Sequence, residues 1–521
     1  MLACVHAATL LGIEACPVAV EVDLSPGLPG FATVGLAQGA VKESRERVTA
    51  ALSNSGFLLP LKRITVNLAP ADLRKEGSGF DLPIAIALLQ ASGQLPEGAA
   101  AGLLVQGELG LEGDLRPIRG ALSVALRARA QGLRGLILPA ANANEAAVVA
   151  GLVVIGARSL GEVVRHLSGE APLAPTPHDP AAFAALPVTD ELDFADVRGQ
   201  PAAKRALEVA AAGGHNLLLL GPPGAGKTML ARRLPTILPS LSIEEAIDTT
   251  RIHSVAGLLP AGRALVTARP FRAPHHTISD AGLIGGGAMP RPGEVSLAHG
   301  GVLFLDELPE FRRNVLEVLR QPLEDGVVTL SRAAMSLTYP AQFTLIAAMN
   351  PCPCGYAGDT RRSCTCDPAL VERYLSRLSG PLLDRIDIQL RVPAVLATEL
   401  TGEQVEEPSR AIRLRVEAAR ARQRQRFPPG TGVASNACLA PRELRRYCRP
   451  DPAAEELLRA ALTRLGLSAR AYHRVLKVAR TIADLAGEET VGTAHISEAI
   501  QYRTLDRAAF GRARAAGEVH G

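Results

Sequence analysis

Gly221-Pro222-Pro223-Gly224-Ala225-Gly226-Lys227-Thr228 fills every fixed position of the phosphate-loop pattern GxxxxGK[ST]. Ahead of it, Asn216-Leu217-Leu218-Leu219-Leu220 reads as a short buried strand; behind it, Met229-Leu230-Ala231-Arg232-Arg233-Leu234 reads as the start of a helix. The glycines let successive backbone N–H groups face phosphate oxygens with no side chain in the way, and the helix N-terminus adds partial positive charge. In that setting Gly221 through Gly226 cradle the phosphates of ATP, Lys227 reaches the β- and γ-phosphates and Thr228 binds magnesium. Strand before and helix after leave little room for a chance glycine-rich turn. The chain is read as binding a nucleoside triphosphate.

A second anchor lies downstream. Gly301-Val302-Leu303-Phe304-Leu305-Asp306-Glu307 is an apolar strand ending in two acids and looks like a Walker B motif. Asp306 is expected to hold the magnesium shell and Glu307 to orient the attacking water. A further apolar run, Phe343 to Met349, ends at Asn350.

At 521 residues the chain has room for about three domains. Hydrophobic content of 47% with 21% charge is ordinary for a globular protein, so cores of adequate size are expected. Aromatic residues make up 3% and Trp is absent, which argues against base-stacking platforms. Net charge is only +4, but residues 401–521 carry 21 Lys/Arg against 14 Asp/Glu. That basic region fits a polyanion weakly, and a solvated helical face is the commoner explanation. The first residues lack the basic start of a signal peptide, and no apolar stretch reaches 18 residues, so a cytoplasmic location away from membranes is expected. Eight cysteines, four of them clustered, suggest reduced thiols and one metal site.

Residues 1–170 alternate strand-like runs (Val18 to Leu24, Arg63 to Leu68) with helical ones (Val41 to Ser55, Pro83 to Leu89). Lys75-Glu76-Gly77-Ser78-Gly79-Phe80-Asp81-Leu82-Pro83, followed by Gly107-Glu108-Leu109 and Arg116-Pro117-Ile118-Arg119-Gly120, resembles the Lon-protease-like domain, an α+β fold of the ribosomal S5 domain 2 type. By that resemblance the serine nucleophile falls near Asp81 and its lysine partner near Leu122, and no lysine occurs between Lys75 and Lys204. A hydroxyl without its base is a weak nucleophile, so the domain is expected to be non-proteolytic. A Pro/Ala-rich linker is expected over 171–190.

Residues 191–398 resemble the α/β ATPase core of AAA+ proteins. Phe194 to Gln200 resembles the segment folded over adenine, and Asn350 stands at the sensor-1 position. Pro381-Leu382-Leu383-Asp384-Arg385-Ile386-Asp387-Ile388 resembles the segment that lends an arginine finger to the neighbouring subunit, although Arg385 could also pair with Asp384 or Asp387. The 79-residue step from Lys227 to Asp306 is long. The excess is placed in Phe271 to Glu294, similar to the helix-2 insert of the magnesium-chelatase and replicative-helicase branch, with a hairpin expected over Glu324 to Pro340. Adjacent His275 and His276 lack a third ligand at metal spacing and read as loop residues. Within the loop 352–366, Cys352-Pro353-Cys354 and Cys364-Thr365-Cys366 can close a Cys4 tetrahedron around zinc; free thiols or a redox pair are the alternatives, because CxC bites more tightly than CxxC.

Residues 399–507 resemble the helical lid of the chelatase type, followed by a tail at 508–521. Ser409 to Phe427 is a helix rich in arginine, either a solvated face or a nucleic-acid contact. In Leu467 to Arg480, Arg470 matches the sensor-2 position and Arg474, one turn on, is the alternative. Taken with Asn350-Pro351-Cys352-Pro353-Cys354-Gly355, the whole chain is identified as a member of the YifB/ComM group of magnesium-chelatase-like AAA+ ATPases. That resemblance implies a hexameric ring using ATP and Mg2+ to move branched or single-stranded DNA without sequence preference, as a branch-migration helicase in recombination during natural transformation. The other readings are a magnesium-chelatase motor subunit, and an ATP-regulated Lon-like protease or assembly factor.

Overall fold

The computed structural model describes residues 1–36, 40–75, 77–179, 192–260, 262–287, 290–332, 335–359, 361–395, 406–427, 433, 435–465 and 468–503. The latter part of the expected linker, the boundary near 398 and the tail at 508–521 lie outside them. The chain divides into two compact units, Met1–Pro187 with Ser242–Thr267, and Val188–Leu241 with Ala268–Gly521.

The first unit is built on a seven-stranded mixed sheet. Its order is Gly30–Val34, Arg63–Ala69, Glu14–Ser25, Leu2–Leu11, Leu103–Val105, Gly135–Pro139, Val153–Ala157. Leu2–Leu11 and Glu14–Ser25 pair antiparallel from Leu2 opposite Asp23 to Leu11 opposite Glu14, and the last three strands run parallel to Leu2–Leu11. In Glu14–Ser25, Val18, Val20, Val22 and Leu24 are buried, as expected for a strand with one face on a core. The helix Asp81–Ala91 is buried along its whole length, which is why its sequence is apolar all round.

One element sits elsewhere than its sequence suggests. The helix Ile243–Ala256, in the long step between Lys227 and Asp306, groups with the first unit. Ser254 donates to buried Glu145 at 2.5 Å and accepts from the Gly120 amide at 2.8 Å, while Arg251 pairs with Glu14 at 2.5 Å. The excess length thus includes 242–267 as well as the stretch from Phe271 to Glu294. The start of the expected linker is also tied down: the Thr176 amide donates to the Val154 carbonyl at 2.8 Å and His178 meets that of Ala147 at 2.7 Å.

The second unit carries a five-stranded all-parallel sheet, ordered Phe271–Arg272, Val302–Leu305, Thr344–Met349, Leu217–Leu220, Ile388–Arg391. Leu217–Leu220, Val302–Leu305 and Thr344–Met349 are buried throughout, so they read as continuous apolar runs with no alternation. Val327–Arg332 and Met335–Pro340 form a separate antiparallel hairpin. The helices Ser409–Arg426, Pro452–Leu465, Ala469–Ala486 and Thr493–Gln501 share one apolar core with the sheet through Ile412, Val416, Leu458, Val475, Ile482 and Ile496.

Most arginines of Ser409–Arg426 are engaged within the unit. Arg413 pairs with Glu417, Arg415 with Glu208 and Glu407, and Arg426 with Asp484. Arg420 and Arg422 donate to the carbonyls of Ala211 and Asp484. The basic stripe is largely a packing device, which leaves Arg410 and Arg424 as its exposed members without these bonds.

Candidate nucleotide site

Parallel strands bind ligands beyond their carboxyl ends, where loops and helix N-termini converge. Three adjacent strands here end in Gly221, Asp306 and Asn350. Gly221 passes so close to Val392 that a Cβ would lie 2.2 Å from its carbonyl oxygen. Gly226 caps the helix Lys227–Ile237 with a positive φ of 85°. The Lys227 ammonium folds back over the loop and donates to the Gly221 carbonyl at 2.7 Å, the Pro222 carbonyl at 2.9 Å and Asn350 Oδ1 at 3.1 Å. Burial pushes that ammonium below its usual value, and the charges of Asp306 and Glu307 offset part of the shift. Thr228 Oγ1 donates to Asp306 Oδ2 at 2.7 Å, and the Glu307 amide donates to Asp306 Oδ1 at 2.9 Å. Lys227, Thr228, Asp306 and Asn350 thus meet in one place. The donor set suits Mg2+, a hard cation that takes hydroxyl, carboxylate, water and phosphate oxygens.

Glu307 has a positive φ of 52°, one of three such non-glycine residues in the described chain. Its carboxylate lies 3.4 Å from His276 Nδ1. The His276 ring lies tilted beside that of His275, centroids 4.1 Å apart, and meets Phe311 edge-on. This contact is not legible in the sequence, where the two histidines read only as loop residues.

The three arginines expected near the γ-phosphate have distinct partners. Arg385 is buried, donates to the Pro381 carbonyl at 2.5 Å and pairs with Glu324, with neither Asp384 nor Asp387 as partner; its Nε has no hydrogen bond. Arg474 is bound to buried Asp387, whereas Arg470 is exposed with Asp384 at 3.7 Å. Burial works against the Asp387 carboxylate, but Arg474 and His215 hold it far below the usual range. Gln200, also at positive φ, ends the segment expected over adenine and donates to the Pro393 carbonyl at 2.6 Å.

Cys352, Cys354, Cys364 and Cys366 form the one group of His, Cys, Asp and Glu ligands among the described residues spaced to hold a metal ion. All four sulfurs lie within 4.8 Å of one another.

In the first unit, the position expected for a nucleophile holds an ion pair. Asp81 accepts from Arg47 Nε at 2.7 Å and Nη2 at 3.0 Å, and from the Leu109 amide at 3.3 Å. Burial pushes its carboxyl up to about 6 against the pull of Arg47. Ser78 donates to Glu108, and the buried Lys75 ammonium donates to the Pro70 carbonyl. No serine there is paired with a lysine among the described residues.

Comparison with known proteins bears on what this site belongs to. Profiles described as Magnesium chelatase, subunit ChlI, as Subunit ChlI of Mg-chelatase, and as Magnesium chelatase, subunit ChlI C-terminal match residues 193–400, 20–142 and 406–503. "Uncharacterized protein YifB" of Escherichia coli is 47% identical over 509 residues, covering 97% of this chain and 98% of its own. "Competence protein ComM" of Haemophilus influenzae is 47% identical over 511 residues, with the same coverage of 97% and 98%. The chain belongs to the YifB/ComM family of magnesium-chelatase-like proteins. Membership of this AAA+ group implies ATPase activity with ATP and Mg2+. A "Magnesium-chelatase 38 kDa subunit" of Rhodobacter capsulatus is 25% identical over 221 residues, 39% of this chain and 59% of its own. "Lon protease 2" of Bacillus subtilis is 34% identical over 157 residues, 27% of each chain. No helix among the described residues is long and apolar enough to cross a membrane.

Proposed function

We propose that this protein is the subunit of an ATP-driven ring, a hexamer, that moves branched or single-stranded DNA. The observation that carries the motor half is the convergence of Lys227, Thr228, Asp306 and Asn350 at the carboxyl ends of three adjacent parallel strands. Lys227 and the loop amides hold the triphosphate, Thr228 and Asp306 hold Mg2+, Glu307 orients the water, and Asn350 meets the γ-phosphate. Arg385 completes the neighbouring subunit's site by exchanging Glu324 for that phosphate, and Arg470 reaches the γ-phosphate from the lid.

The DNA half is supported by the hairpin Val327–Arg332/Met335–Pro340, by the insert from Phe271 to Glu294, and by the 47% identity to a competence protein. Work on incoming strands during natural transformation, through branch migration, is the reading that joins these features. Contacts run mainly to backbone phosphates, because aromatic side chains are few. The second reading, a chelatase-type motor acting on a porphyrin, is favoured by the chelatase profiles across the chain.

The deciding experiment measures ATPase rate and strand exchange on four-way and three-strand junctions, with metal-free porphyrin as the competing substrate. Stimulation by junctions is expected. A ring whose ATPase ignores every DNA structure refutes the DNA reading, and porphyrin-dependent turnover supports the second.

A further inference from the structure

We infer that the four-cysteine loop is a structural Zn2+ site that braces the catalytic side of the nucleotide pocket. The metal half stands on sulfur geometry. Cys352 Sγ lies 3.3 Å from Cys354 Sγ and 3.6 Å from Cys364 Sγ, and Cys354 Sγ lies 3.6 Å from Cys364 Sγ. Four thiolates around one zinc with Zn–S bonds of about 2.3 Å stand roughly 3.8 Å apart at tetrahedral angles. The three sulfurs of Cys352, Cys354 and Cys364 stand within about 0.5 Å of that spacing, and all four lie within 4.8 Å of one another.

The same distances exclude a disulfide and a multi-iron cluster. A disulfide brings its sulfurs to about 2.05 Å, and no pair here approaches that. An iron–sulfur cluster binds its cysteines through several irons and spreads them wider than this group. Backbone amides complete the outer shell: Ala357 donates to Cys352 Sγ at 3.3 Å, Cys354 to Cys366 Sγ at 3.3 Å and Cys366 to Cys364 Sγ at 3.4 Å. Such donors orient soft ligands and spread their negative charge. An all-thiolate, four-coordinate, closed set is that of a structural zinc.

The bracing half rests on the reading of the nucleotide site given above. The loop starts two residues after Asn350, whose side chain meets Lys227. Its Gly355, at a φ of 87°, packs against the phosphate loop so closely that a Cβ would sit 2.5 Å from Pro223 Cδ. Between the two cysteine pairs, Arg361 donates to the Val395 carbonyl at 2.6 Å. A cleft of about 500 Å³ lies between, lined by Gly221, Pro222, Gly355, Arg361 and Val392. A loop beside such a cleft has little apolar packing behind it, so a four-point metal crosslink supplies what a core otherwise would. With the metal in place Asn350 and Pro223 keep one position. Without it the loop relaxes toward the cleft and the sensor amide drifts from the γ-phosphate.

The test uses the untagged full-length chain. Elemental analysis is expected to find about one zinc per chain, and cobalt substitution to give the absorption of tetrahedral thiolate coordination. Cys364→Ser, at an exposed position, is expected to lose the metal and to lower kcat roughly tenfold with a smaller change in ADP affinity, since misplacing a catalytic group by an ångström costs up to about 10²-fold. Cys438→Ser, outside the cluster, keeps both metal and rate. Zinc-free protein with four titratable loop thiols and full activity overturns the site, as does iron in its place. A metal whose removal leaves kcat unchanged overturns the brace. Failure of the nucleotide reading itself shows separately, as Lys227→Ala that still binds ATP.

Discussion

Replacing Asp387 by Ala tests the link between the sheet and the helix Ala469–Ala486. Asp387 is 4% exposed, pairs with Arg474 of the helix Ala469–Ala486, accepts from the Asn216 amide at 3.1 Å and lies 3.4 Å from buried His215. Removing one partner of a buried ion pair costs about 3–5 kcal/mol, chiefly because the other charge is left uncompensated. The Arg474 side chain is 22% exposed and can regain some water, which places the expected loss near the lower end, about 3 kcal/mol. For a unit of this size that lowers the melting temperature by roughly 5 °C. The double change Asp387→Leu with Arg474→Met is expected to recover most of the loss, because apolar groups of similar volume need no partner.

The pH dependence has a definite sign. The Asp387 carboxyl is held below its unfolded value, so its contribution is present above about pH 4 and fades as the pH falls through the folded value. The difference in stability between parent and Asp387→Ala, read by chemical denaturation, should therefore shrink on acidification below about pH 4. A loss under about 1 kcal/mol at pH 7, or a double variant no more stable than the single one, refutes the reasoning.

Lys227→Ala is expected to abolish ATP binding, while Glu307→Gln keeps binding and lowers turnover by about 10²-fold or more, as measured by nucleotide titration and phosphate release. Mixing Arg385→Ala subunits with Lys227→Ala subunits should restore part of the ATPase activity, because a finger in trans is worth about 10³-fold and mixed rings contain intact composite sites; no rescue at any ratio in assembled rings refutes the trans role. The His276–Glu307 contact is solvent-screened and worth at most about 1 kcal/mol, so His276→Ala should leave the melting temperature unchanged while raising the basal ATPase by at most about fivefold and reducing its stimulation by DNA. DNA affinity should fall steeply with salt, by roughly 10³-fold between about 50 and about 200 mM if about six phosphates are neutralised, with little sequence preference.

What the sequence determined by itself is local. The phosphate loop, the acidic pair after an apolar strand and Asn350 after another are legible because each is a strand end whose chemistry follows its strand directly in the chain. The helices Ser409–Arg426 and Ala469–Ala486 are legible for the same reason, since a helical period is written in consecutive residues. Tertiary structure decided the partners. Arg385 bonds Glu324, 61 positions away, instead of its neighbours Asp384 and Asp387, which take Arg470 and Arg474 from the helix Ala469–Ala486. Glu307 meets His276 through a loop that periodicity cannot place. The helix Ile243–Ala256 joins the first unit through Glu145 and Glu14, and five arginines that give Ser409–Arg426 its basic look are absorbed by partners within the second unit. The physical reason is common to all of these: strand order in the sheet differs from chain order, and a long charged side chain pairs with whichever group that order brings within a few ångströms.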